Sequence, residues 1–137
     1  MGNKIYIVED NPLILENLQG TLEDLPGVQV VGHSANESDA VAWLSEPSHA
    51  WDLAVVDLFL KTGTGLGVLE KMARSAPAKH LVVLSNYAGR EIRQQCLRLG
   101  AKAVFDKSQE IDDFVAFVRQ RASAAGSGSG GGSAVAA

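Results

Sequence analysis

Cysteine is almost missing. A single Cys96 in 137 residues rules out an internal disulfide and a cysteine-built zinc cage. Basic residues are outnumbered, 12 against 16 acidic ones, and the net charge of −4 leaves no positive footprint for gripping nucleic acid directly. No run approaches the roughly 20 apolar residues of a membrane-spanning helix, and Met1 to Lys4 lead into a strand-like segment without a secretory-signal pattern. A cytoplasmic, reducing setting without membrane insertion is therefore expected. No repeat recurs at a fixed period before residue 122, which excludes a solenoid. What is present is apolar material, 46% of the chain, enough for the core of one ordinary domain.

Composition breaks after Ala122. Ser123 to Ala137 hold only Ala, Gly, Ser and one Val, a flexible-linker composition that cannot bury a core, so residues 1–122 are taken as the domain and 123–137 as a tail. Within the domain, short compact runs rich in Val, Ile and Leu (5–8, 28–31, 53–56, 81–84 and 103–105) read as strands buried on both faces of a parallel sheet. Between them, apolar residues recur at three- and four-residue steps: Ile14, Leu15, Leu18, Leu22 and Leu25; Ala40, Val41 and Leu44; Leu66, Leu69, Met72 and Ala73; Ile92, Cys96 and Leu99; Ile111, Phe114, Val115 and Val118. Asn11-Pro12 reads as a helix cap followed by proline in the first turn, and Gly100 as a helix stop. The pattern predicts an α/β fold, a (βα)5 doubly wound five-stranded parallel sheet, since a closed barrel needs about eight such units. Ligands of open α/β sheets sit at the carboxyl ends of the strands, beside the topological switch point.

The polar residues at those ends are Glu9 and Asp10, Asp57, Ser85 and Asn86, and Asp106 and Lys107. Carboxylates brought together raise one another's pKa unless a cation joins them, and an all-oxygen pocket suits Mg²⁺. A carboxylate beside Mg²⁺ can attack phosphorus and form an acyl phosphate. The charge developing on the transferred oxygens then needs a lysine and a hydroxyl donor, the types present at Lys107 and Ser85.

Val8-Glu9-Asp10-Asn11-Pro12, Val56-Asp57-Leu58, Leu84-Ser85-Asn86 and Phe105-Asp106-Lys107, in this order, resemble the receiver domains of two-component response regulators over roughly residues 4–120. The resemblance implies the flavodoxin-like receiver fold, with Asp57 as phospho-acceptor. Asp10 would be a direct Mg²⁺ ligand, Glu9 a ligand through water, and the Phe59 backbone carbonyl a further ligand. Ser85 and Lys107 would bind the phosphoryl group, and Phe105 would be an aromatic switch following Ser85. It also implies a phosphorylation-dependent signalling switch with no stand-alone metabolic activity, which catalyses its own phosphorylation and dephosphorylation. The donor would be a sensor histidine kinase or a histidine phosphotransfer protein. The downstream protein would meet the face of the fourth helix, fifth strand and fifth helix. With no room for a DNA-binding output domain in 137 residues, direct nucleic-acid contact is not expected.

The chain departs from the family pattern at Lys61, where a proline is common, at Asn86, where Gly or Ala is common, and at Ser108 in place of proline after the lysine. Asn86 narrows the approach to the phosphoryl group, and a trans bond is expected before Ser108. Phe59 and Tyr87, two residues beyond Asp57 and Ser85, are positions that tune phosphoryl lifetime, and their bulk implies slow self-dephosphorylation. The departures mildly favour an alternative, a phosphorylation-independent receiver-like scaffold; a small Mg²⁺-dependent phosphohydrolase would need a substrate pocket or P-loop that the sequence does not display.

Plainer roles are assigned elsewhere. Thr62 to Gly67 lack the lysine of a P-loop and read as a flexible turn starting the third helix. Arg90, Arg93 and Arg98 read as a solvated face with the capacity for partner contacts. His33, His49 and His80 read as surface or loop residues, Asp52 and Asp106 as solvated or turn-stabilising, and Cys96 as a small buried hydrophobe. Trp43 and Trp51 are equally compatible with core and surface positions.

Overall fold

The computed structural model describes residues 3–75, 80–86 and 89–127, with side chains as far as residue 122. Five strands alternate with five helices: β1 (Asn3–Val8), α1 (Pro12–Glu23), β2 (Val28–Ser34), α2 (Glu37–Ser45), β3 (Leu53–Val56), α3 (Gly65–Ser75), β4 (His80–Ser85), α4 (Arg90–Arg98), β5 (Ala103–Asp106) and α5 (Ile111–Ser127). The strands form one sheet in the order β2-β1-β3-β4-β5, every pairing parallel. The chain leaves β1 toward one edge and returns to β3 on its other side, so the switch point lies between the carboxyl ends of β1 and β3.

Alternation along the strands feeds two cores. Tyr6, Val8, Ala54, Val56, Leu81 and Val83 face Ala40, Leu44, Leu69, Met72 and Cys96 of α2, α3 and α4. Ile5, Ile7, Leu53, Val55, Val82 and Leu84 face Leu18, Leu22, Phe114 and Val118 of α1 and α5. Each fully buried aliphatic or aromatic side chain contributes about 1.5–3 kcal/mol relative to exposure. The apolar runs of the three central strands β1, β3 and β4 thus have no solvent face.

Asn11 caps α1 with its side-chain oxygen, accepting from Leu13 N–H at 3.0 Å and Ile14 N–H at 3.2 Å, with Pro12 in the first turn. Gly100 has φ +110°, the left-handed conformation that ends α4. β2 runs three residues further than its apolar core suggests, through Gly32, His33 and Ser34: exposed His33 suits an edge strand, and buried Ser34 is hydrogen-bonded to the Tyr6 hydroxyl. A Cβ on Gly32 would lie 2.9 Å from the Tyr6 ring, and the pairing shifts register beside Tyr6. α5 continues through Ser127, past the composition break at 122, since the alanines there are strong helix formers.

Trp51 is buried, its indole N–H donating to Leu44 O at 3.1 Å, while Trp43 stacks between Tyr6 and His49 with centroids 4.2 Å away on each side. Arg93 corrects the expectation of a fully solvated arginine face. It is half-buried, donating to Val104 O at 3.0 Å and pairing with Glu110 at 2.5 Å, because α4 leans on β5 where a strand carbonyl faces it.

Candidate functional site

The sheet pairing runs one residue beyond β1 and β3. Asp57 N–H donates to Val8 O and Glu9 N–H to Ser34 O, both at 3.0 Å, which sets Glu9 and Asp57 side by side at the switch point. Both are buried, Glu9 3% and Asp57 7% exposed. One oxygen of Asp57 accepts the Ser85 hydroxyl at 2.8 Å and the Phe59 N–H at 3.2 Å, and the other accepts the Lys107 ammonium at 3.1 Å. The same ammonium lies 2.5 Å from Glu9 Oε1. Asp10, half-buried, accepts the Lys61 N–H at 2.6 Å.

Burial pushes the Glu9 carboxyl above its ordinary range; the Lys107 hydrogen bond opposes this and the negative charge of Asp57 adds to it. Glu9, Asp10 and Asp57 each offer an oxygen within 4.8 Å of the others, a spacing that can hold a metal ion. Three hard oxygen donors with no sulfur or imidazole among them fit Mg²⁺. Lys107, its side chain only 11% exposed, supplies positive charge to the same carboxylates.

Ser85 is fully buried and its carbonyl accepts Lys107 N–H at 3.2 Å, so the β4 and β5 contributions are fixed to each other. Asp106 stabilises the turn, accepting Ser108 N–H at 2.8 Å and Gln109 N–H at 3.2 Å. The Lys107–Ser108 bond is trans. Phe59, 54% exposed, and Asn86 line the shallow cleft over Asp10, Asp57 and Lys107. Tyr87 lies outside the described residues.

Phe105 is half-buried and stands apart from the carboxylates. Its ring packs against Phe114 and Phe117 of α5, centroids 5.8 and 5.7 Å away, on the α1/α5 side of the sheet. Alternation along β5 turns the neighbouring Val104 toward α4 instead.

Two contacts escaped sequence reasoning. The Lys61 N–H is a backbone group whose partner no side-chain pattern reveals. Glu37, the first residue of α2, reaches the Thr62–Gly67 segment: Thr64 N–H donates to its carboxylate at 2.9 Å and Lys71 pairs with it at 2.8 Å. That segment is tied to α2 by these contacts, and its glycines at every second position, 63, 65 and 67, were the available sign of close approach.

A 2-1-3-4-5 parallel sheet whose switch point carries three carboxylates, a buried hydroxyl and a lysine defines a domain of the flavodoxin-like receiver class. Residues 5–119 match the family model for the response regulator receiver domain, and the chain belongs to that family. It is 25% identical over 115 residues to the response regulator UvrY of Escherichia coli K12, covering 84% of this chain and 52% of that protein. The chain thus spans about half the length of that curated relative. In fold it is similar to a CheY-like receiver domain protein from Methanospirillum hungatei, with TM-score 0.78 and 24% identity over 93% of this chain and 98% of that one. A DNA-binding response regulator of the LuxR family from Staphylococcus aureus shares the fold with TM-score 0.76 and 14% identity, covering 86% of this chain and 97% of that one.

Proposed function

We propose that this receiver domain accepts a phosphoryl group on Asp57 from a phosphohistidine and signals through the change in charge and contacts that follows. One observation carries the reading: Asp57 is met by Ser85 and Phe59 N–H on one oxygen and by Lys107 on the other, beside two further carboxylates. In the transfer, a carboxylate oxygen of Asp57 attacks phosphorus and the phosphorus–nitrogen bond breaks. The electron pair returns to the imidazole, which takes up a proton. The Ser85 hydroxyl and the Lys107 ammonium stand within reach of the incoming oxygens, where donors fixed beforehand stabilise developing charge.

Glu9, Asp10, Asp57 and the Phe59 carbonyl would hold Mg²⁺, which supplies further neutralisation of the phosphoryl oxygens. The donor is a histidine kinase or a histidine phosphotransfer protein. The output face is that of α4, β5 and α5, where Leu97 is 50% exposed beside exposed Arg90 and Arg98. Phe105, on β5 beside α5, is the aromatic that would carry a movement of Ser85 to that face. The domain's own net negative charge speaks against its gripping nucleic acid; DNA binding recorded for the Staphylococcus relative belongs to that protein. No helix among the described residues is long and apolar enough to cross a membrane. The phosphorylation-independent scaffold has no comparable feature in its favour.

The test is intact mass after incubation with acetyl phosphate, with and without Mg²⁺, for the wild type and Asp57→Ala. Gain of one phosphoryl group that requires both Mg²⁺ and Asp57 is expected. A folded wild type that gains none would remove the reading.

A further inference from the structure

The segment between Asp57 and α3 carries Phe59, and most of it is exposed: Lys61, Thr62, Gly63 and Thr64 have no place in either core. It is nevertheless fastened at both ends. Near the pocket, Phe59 N–H donates to Asp57 and Lys61 N–H to Asp10. At the far end the fastening comes from one residue of another element. Glu37 donates its own N–H to Thr62 O at 3.3 Å and accepts Thr64 N–H on its carboxylate at 2.9 Å.

Several positions give way to this side chain. A Cβ on Gly63 would lie 2.9 Å from Glu37 Oε1, and one on Gly67 would lie 2.5 Å from the same atom. Gly63 also has φ +79°, which suits glycine. Lys71, one turn beyond Gly67 on α3, closes the grip from the other side at 2.8 Å. The Lys71 ammonium and the Thr64 N–H hold the carboxyl below its ordinary range, so it stays charged at neutral pH.

We propose that Glu37 is a positioning residue for the metal pocket: by gripping Thr64 from α2, it fixes the loop that presents Phe59 and Lys61 to Asp57 and Asp10. This rests on the reading of Glu9, Asp10 and Asp57 as a Mg²⁺ site. Removing a group that orients an ion's ligands typically costs about 10–100-fold in affinity, because a ligand that must be ordered on binding binds less well. Glu37 acts on the carboxylates only through the loop, and is neither ligand nor catalyst.

The test is Mg²⁺ affinity by isothermal calorimetry, with the Phe59, Lys61 and Thr64 amide resonances followed in the same titration. Glu37→Ala is expected to weaken Mg²⁺ on the order of tenfold. Glu37→Gln, which keeps an oxygen for Thr64, should recover most of that loss. Gly67→Ala, which drives a methyl into the carboxylate, should weaken Mg²⁺ in the wild type but add nothing in the Glu37→Ala background. That second route keeps the test decisive if Glu37→Ala is too unstable to study. Wild-type affinity in folded Glu37→Ala, or in Gly67→Ala, overturns the role of Glu37 and leaves the Mg²⁺ site standing. A wild type that binds no Mg²⁺ overturns the site itself, and Glu37 with it.

Discussion

Lys107 and Glu9 stand 98 positions apart in sequence, yet the lysine ammonium lies 2.5 Å from the glutamate carboxylate, across the carboxyl edge of the sheet. Despite this partner, the Glu9 carboxyl titrates above its usual value, because burial and the nearby Asp57 outweigh the ammonium. A carboxyl whose folded pKa is raised costs stability when ionised, and that cost disappears as pH falls through the folded value toward the unfolded one. Glu9→Gln is therefore expected to raise the melting temperature at pH 7 without Mg²⁺, by an amount that shrinks as pH is lowered toward 4.5. Thermal unfolding of both proteins across that range checks it, and a lower melting temperature for the variant at pH 7 would count against the sign.

Ser85 is fully buried and gives its hydroxyl hydrogen to Asp57. Ser85→Ala should slow phosphorylation by acetyl phosphate on the order of 10²-fold, the usual consequence of losing one donor aimed at developing charge. Mg²⁺ affinity should fall less than the rate, on the order of tenfold, since the hydroxyl bonds Asp57 but is no part of the acidic trio. Single-turnover rates beside a Mg²⁺ titration separate the two.

For Glu37 the pH dependence has the opposite sign from that of Glu9. Lys71 and Thr64 N–H hold its folded pKa below the ordinary 4.5, so its contribution to stability is present above the unfolded value and lost as pH falls through the folded one. The stability gap between wild type and Glu37→Gln should be full at pH 6–7 and close on acidification below about 4.5. Urea titrations at successive pH values measure it.

Glycines 65 and 20 should respond to alanine in opposite directions. A Cβ on Gly65 would lie 2.7 Å from the Leu58 Cα, whereas Gly20, mid-helix in α1, has nothing within 4 Å of that position. Gly65→Ala is expected to cost about 1–3 kcal/mol or more through overpacking against backbone. Gly20→Ala should gain about 0.5–1 kcal/mol by restricting the unfolded chain. Equilibrium denaturation decides both.

Phe59 and Tyr87 lie two residues beyond Asp57 and Ser85 in sequence, and exposed Phe59 lines the cleft over Asp57. Replacing both with alanine is expected to shorten the lifetime of the phosphorylated domain, by admitting water to the acyl phosphate. Decay followed by intact mass at fixed Mg²⁺ reads the effect, and an unchanged or longer lifetime would remove these side chains from that role.

The fold was legible because buried parallel strands and amphipathic helices leave different periods. An unbroken apolar run such as Leu53, Ala54, Val55 and Val56 cannot be read as an amphipathic surface helix, while Leu18 and Leu22 repeat at a helical step. Glu9, Asp10, Asp57, Ser85 and Lys107 were legible as strand-end polar residues, and the fold brings all five to one edge. The neighbours of Phe105 were not legible, because an aromatic on a short strand has two faces to choose from and register alone decides which. Arg93, Lys61 N–H and Glu37 were hidden for a shared reason. Each finds its partner on another element, through a backbone group or a lone charged side chain that leaves no periodic trace.

The bridge from Lys107 to Glu9 also constrains how the domain is born. Synthesis delivers Glu9 and Asp10 first, Asp57 midway, and the neutralising ammonium only after the final strand, so a chain ending before residue 107 lacks the cation that Glu9 and Asp57 share. Phosphoryl transfer to Asp57, as proposed, would thereby wait for the end of the final strand, which brings Lys107 to it.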